Sequence, residues 1–68
     1  MNGKEFIRRT RRWAKAHGVE LTVDASRGKG GHQQVRGPGG LTHVKTGEIG
    51  PGLLQIMLKQ LGIPKDEF

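Results

Sequence analysis

The 68 residues hold enough apolar side chains for one two-layer core and none to spare for a second, so a single domain spanning residues 1–68 is expected. Twelve Lys and Arg against six Asp and Glu give a net charge of +6, a positive field that attracts polyanions or an acidic protein without choosing among RNA, DNA and protein. The absence of cysteine excludes disulfides and thiolate metal sites, and no apolar run reaches the length of a signal-peptide core or a membrane span, which leads to the expectation of a cytoplasmic protein with no membrane partner.

Residues 2–17 read as an amphipathic helix. Asn2 can cap its first turn, Glu5 sits at the reciprocal capping position, and Gly18 suits a left-handed stop. At about 100° per residue, Phe6, Ile7, Thr10, Trp13, Ala14 and His17 gather on one side, and Lys4, Arg8, Arg11, Arg12 and Lys15 gather opposite. A solvated face, a contact to RNA phosphates and a contact to an acidic partner are all open for this basic stripe. Like charges four residues apart cost a few tenths of a kcal/mol each, which favours a binding role. Trp13 falls on the apolar side as a core residue, and His17, near the helix C-terminus, reads as structural.

Val19–Val23 alternates apolar and polar residues, the pattern of a strand with one buried face. A polar, glycine-rich connection follows from Asp24 to Gly31. Residues His32–Arg36 and Leu41–Lys45 are short strands joined by the turn Gly37-Pro38-Gly39-Gly40, which predicts a hairpin. Gly50 and Pro51 open a second helix, with Pro51 at the first helical position, where its missing N–H costs nothing. Leu53, Leu54, Met57, Leu58 and Leu61 recur at helical spacing as core positions, and Gly62-Ile63-Pro64 ends the helix. Ile56 projects away from that stripe, as an ordinary exposed residue or a contact to a partner. Lys65–Phe68 reads as a short tail.

The expected fold is therefore α+β, in the order α-β-β-β-α, with a three-stranded antiparallel sheet and both helices on one face. Double-stranded-RNA-binding domains use the same layering. If Val35 and Val44 point to the core, strand alternation sends His32, Gln34, Arg36, His43 and Lys45 to the open face. Two histidines and two cations then share one solvent-facing surface.

Gly28-Lys29-Gly30-Gly31-His32, between the first and second strands, resembles the Gly-Lys-Gly-Ser-His motif of the HicA toxins. Gly50-Pro51-Gly52-Leu53-Leu54, followed by Met57–Ile63, is similar to that family's final helix. With the basic first helix, the resemblance covers nearly the whole chain. It implies an mRNA endoribonuclease of a type II toxin–antitoxin pair, on a double-stranded-RNA-binding-like fold, blocking translation and silenced by a HicB-type antitoxin. The same resemblance implies His32 as the catalytic residue. Gly31 stands where the family has serine, which removes one hydroxyl that could touch phosphate or the loop backbone.

RNA supplies its own nucleophile, the 2′-OH. Cleavage then needs a base for its proton, an acid for the departing 5′-oxygen, and positive charge on the phosphate. This chemistry requires neither a metal ion nor a small-molecule cofactor. An unperturbed imidazole, with a pKa of about 6.5, suits either proton transfer. His32 is the first candidate, and His43 on the neighbouring strand the second. Gly28, Gly30 and Gly31 would let backbone N–H groups approach a phosphate, with Arg27, Lys29, Arg36 and Lys45 adding charge. No Gly-Lys-Ser/Thr follows, which argues against a nucleotide-binding P-loop. Read from the residues alone, a surface histidine in a hairpin connection remains the alternative to a catalytic one. Two further functions fit the same charge: a non-catalytic RNA-binding module, and a protein-interaction domain whose basic face recruits an acidic partner.

Overall fold

The computed structural model describes residues 1–24 and 32–68. The chain runs α1 (Gly3–His17), β1 (Thr22–Asp24), β2 (Gln33–Gly37), β3 (Gly40–Val44), α2 (Pro51–Leu61) and a final 3-10 turn (Lys65–Glu67). This is the expected α-β-β-β-α order, built on one antiparallel sheet in which β2 is central. Phe6, Trp13 and Ala14 of α1, Val35 and Val44 of the sheet, and Met57, Leu58 and Leu61 of α2 form one buried cluster. Both helices therefore cover the same face of the sheet.

Each helix ends as its sequence dictates. The Asn2 side-chain oxygen accepts the Glu5 N–H at 2.8 Å, and Gly18 turns left-handed at φ 64°. The Val19 N–H donates to the Ala14 carbonyl at 3.0 Å, and Ile63 N–H to the Leu58 carbonyl at 2.9 Å beyond Gly62, so both helices close with the six-to-one bond of a Schellman motif. Glu5 spends its carboxylate on Arg8, whose Nη2 donates to both oxygens at 2.7 and 2.8 Å. That hydrogen bond holds the Glu5 carboxyl below its usual range. The pair thus stabilises the fold at neutral pH, and its contribution fades as acid protonates the carboxylate. The basic stripe accordingly has an acidic partner at its N-terminal end.

The strands sit slightly apart from the positions read in the sequence. β1 occupies Thr22–Asp24 instead of Val19–Val23, because Val19 is committed to closing α1 and pairing with β2 starts at Thr22 opposite Arg36. Asp24, expected in the connection, is the last residue of this strand. Gly37 pairs with Gly40 around the two-residue turn Pro38-Gly39, which moves β2 and β3 by one residue and leaves His32 and Lys45 just outside the ladder. The turn packs on the end of α2. Gly39 N–H donates to the Leu61 carbonyl at 2.9 Å, and a Cβ on Gly39 would lie 2.7 Å from the Gly62 nitrogen and Cα. Gly39→Ala is expected to cost about 2 kcal/mol in urea unfolding, since backbone meets backbone there. Gly52→Ala is expected to add about 0.5 kcal/mol, because that position lies in α2 facing open space.

Two further departures concern the core. α2 meets the sheet through its C-terminal half, and of its first turn only Leu54 packs against the cluster. Leu53 is therefore half exposed, at 50 %, where a core position was expected, and Ile56 is exposed as expected. Lys65–Phe68 is no loose tail: Phe68 packs on Phe6 with ring centroids 5.5 Å apart, and the Arg9 guanidinium lies 4.7 Å above the Phe68 ring. Arg9 Nη2 also donates to the Phe68 carbonyl. Glu67 accepts from Trp13 Nε1 at 3.4 Å and pairs with His17 Nε2 at 3.2 Å.

The first residues of the chain are tied to the segment after β3. Gly3 N–H donates to the Gly47 carbonyl at 3.2 Å, Ile49 N–H to the Met1 carbonyl at 2.7 Å, and Asn2 bridges to Glu48. A Cβ on Gly3 would lie 1.8 Å from the Lys45 carbonyl oxygen, so the start of α1 lies directly against the end of β3. Among the described residues no helix is long and apolar enough to cross a membrane.

Candidate functional site

Burial along the strands shows which side chains leave the core. Val35, Thr42 and Val44 are buried, whereas Thr22, Arg36 and His43 are exposed. Gln34 pairs with His43 and Asp24, and Arg36 with Leu41 and Thr22, so two rows, polar except for Leu41, cross the sheet on the side away from the helices. Thr22, Asp24, Gln34, Arg36 and Leu41 line a depression of about 270 Å³ there. That is smaller than the pockets that engulf small molecules, and suits one unit of an extended ligand.

His32 is exposed and directly precedes β2. Alternation from Gln34 assigns it to this same face, and the register extended by one residue sets it across from exposed Lys45. His43 lies diagonal to it. The Gln34 amide nitrogen stands 3.4 Å from His43 Nε2, a long contact in which the amide donates and the imidazole accepts when that nitrogen carries no proton. The structure thus assembles His43, Gln34 and Arg36 on one sheet surface, with His32 and Lys45 at its end.

Other residues singled out in the sequence stand elsewhere. Lys4, Arg8, Arg11, Arg12 and Lys15 are all exposed on the outer side of α1. They lie on the outer side of the helix layer, while His43 and, by alternation, His32 lie on the outer side of the sheet layer. His17 stacks on Trp13 with ring centroids 4.7 Å apart and holds Glu67, a structural position despite its partial exposure. Arg27, Gly28, Lys29, Gly30 and Gly31 lie outside the described residues. Among the described residues no three His, Asp or Glu side chains converge where a metal ion could be held.

Thr22, Asp24 and Leu41 are the members of this face that the sequence reading left out. The signal was present for the first two: Leu21 and Val23 pack toward the core, so Thr22 and Asp24 must point the other way. Leu41 was assigned only to a strand, and its pairing with Arg36 became visible with the register. Comparison with family models, with curated proteins and with solved structures finds no match to this chain.

Proposed function

We propose that this chain is the toxin of a type II toxin–antitoxin pair: a cytoplasmic endoribonuclease that cuts mRNA without a metal ion and so blocks translation. The observation that carries this reading is the exposed His32, at the end of an open polar sheet face that also bears His43, Gln34 and Arg36. Its sequence setting, the HicA-like Gly28-Lys29-Gly30-Gly31-His32, and the layering of helices on one side of the sheet support it further. The fold is read as double-stranded-RNA-binding-like on the same ground, and the natural inhibitor as a HicB-type antitoxin.

In this mechanism the 2′-OH attacks the adjacent phosphorus as a base takes its proton. The bond from phosphorus to the 5′-oxygen breaks, and that oxygen leaves with a proton from an acid. The products are a 2′,3′-cyclic phosphate and a 5′-hydroxyl. His32 performs one of the two proton transfers, and His43 is the second imidazole on the same face. Arg36 and Lys45, with Arg27, Lys29 and the amides of Gly28, Gly30 and Gly31, neutralise the phosphate as negative charge builds on it.

A defined mRNA incubated with the purified chain in EDTA is the direct test. Cleavage that persists in EDTA, yields cyclic-phosphate ends and is suppressed by an acidic HicB-type partner supports the proposal. Loss of cleavage in EDTA would overturn the metal-free mechanism, and RNA binding without any cleavage would favour a non-catalytic RNA-binding module.

A further inference from the structure

The cations of α1 have no part in the cleavage chemistry, yet they are not placed at random relative to it. Lys4, Arg8, Arg11 and Lys15 follow one another at intervals of four, three and four, and Arg12 lies one turn beyond Arg8. All five are exposed. From Lys4 to Lys15 the row runs about 16 Å along the helix. Its start is fixed by the contacts of Gly3, whose N–H donates to Gly47 and whose Cα lies against the Lys45 carbonyl. Lys4, the next residue along α1, therefore starts the row at the same corner as Lys45, which the register extended by one residue sets across from His32. The acidic groups of this corner are already engaged: Glu5 with Arg8, and Glu48 with the Met1 amino group.

We infer that the outer face of α1 is a track for the phosphate backbone of single-stranded RNA, leading from the His32 end of the sheet over Lys45 and Lys4 to Lys15. The track rests on the RNA-cleaving reading and adds to it a substrate requirement, a strand long enough to turn the corner from the sheet layer to the helix layer. Because the contacts are to phosphates, they carry no sequence preference and respond steeply to salt.

Binding of 2′-O-methyl RNA tests the track without cleavage, since that RNA lacks the attacking hydroxyl. Two labelled lengths are compared, about 6 and about 20 nucleotides, across a salt series. R11Q/R12Q is expected to bind the long RNA roughly tenfold more weakly near 0.1 M salt and to lower its salt slope by about 1.4, at about 0.7 per single-strand phosphate contact. The short RNA, reaching the sheet only, is expected to show no such drop. K4Q/K15Q, at the two ends of the row, is expected to reproduce the long-RNA effect. These side chains are exposed, so melting temperatures should match the wild type. An unchanged slope in both variants would overturn the track, leave the stripe to an acidic protein, and leave the nuclease reading standing if unmodified mRNA is still cut. A reduced slope without cleavage of unmodified mRNA would keep the track and overturn the nuclease. Absence of RNA affinity near physiological salt would overturn both.

Discussion

His32→Ala is expected to slow mRNA cleavage by about 10²–10⁴-fold, the usual worth of one positioned proton-transfer group, while leaving the melting curve in place. The two halves of that expectation have separate origins. Loss of rate follows from removing the imidazole proposed to act on the 2′-OH or on the departing 5′-oxygen. Retention of the fold follows from burial: His32 is exposed, precedes the ladder of β2 and takes no part in the buried cluster. Surface changes of this kind stay within about 0.5 kcal/mol. A cleavage assay beside a thermal melt separates the two. Undiminished cutting by the well-folded variant would remove His32 from the mechanism and direct attention to His43.

Gly3→Ala is expected to be the most damaging single methyl group that can be added to the described part of the chain. A Cβ there would sit 1.8 Å from the Lys45 carbonyl oxygen, inside the carbonyl's own van der Waals envelope, and no side-chain rotation can relieve a clash between two backbones. Either α1 moves away from the sheet, at the cost of the Gly3–Gly47 and Met1–Ile49 hydrogen bonds, or the segment after β3 shifts and drags Val44 out of the core. A loss of about 3 kcal/mol is expected, at the upper end of overpacking effects. In a domain of this size that corresponds to a fall of about 12–24 °C in Tm. Calorimetry of the variant checks it, and a Tm within a few degrees of the wild type would show that the corner is looser than described.

Neither the Gly3 contact nor the tail could be read from the sequence, and the reason is common to both. Local patterns reveal what a residue does within its own element. The 3.6-residue spacing of Phe6, Thr10 and Trp13, the cap at Asn2, the stops at Gly18 and Gly62 and the proline that opens α2 all lie within a few residues of what they control, and all are where the pattern placed them. Gly3 matters because of Lys45, and Phe68 because of Phe6 and Arg9, partners that no periodicity connects. Leu53 shows a subtler limit. Helical spacing puts it in the apolar stripe, but whether the sheet extends beneath that first turn depends on how the layers overlap.

The candidate face divides in the same way. Alternation around Val35 and Val44 was enough to turn His43 and Arg36 outward and to assign His32 to their side. The pairing of Gln34 with His43, by contrast, depends on a register fixed by the Pro38-Gly39 turn, and shifting that turn by one residue would have opposed different partners. The basic stripe was legible as a stripe. Its position around the corner from His32 and His43 required the packing of α1 against the end of β3, whereas the Glu5–Arg8 pair is local, three residues apart on one helix.

The bond from the Gly39 amide to the Leu61 carbonyl also makes one proton a witness to motion. Residues at the tip of a hairpin ordinarily surrender their amide protons to water at once, because nothing covers them. Here the partner is the final carbonyl of a helix more than twenty positions along the chain, so the Gly39 proton can exchange with deuterium only when hairpin and helix part. Its exchange rate reports how often the sheet and α2 separate, and whether they open as one unit with the core or ahead of it.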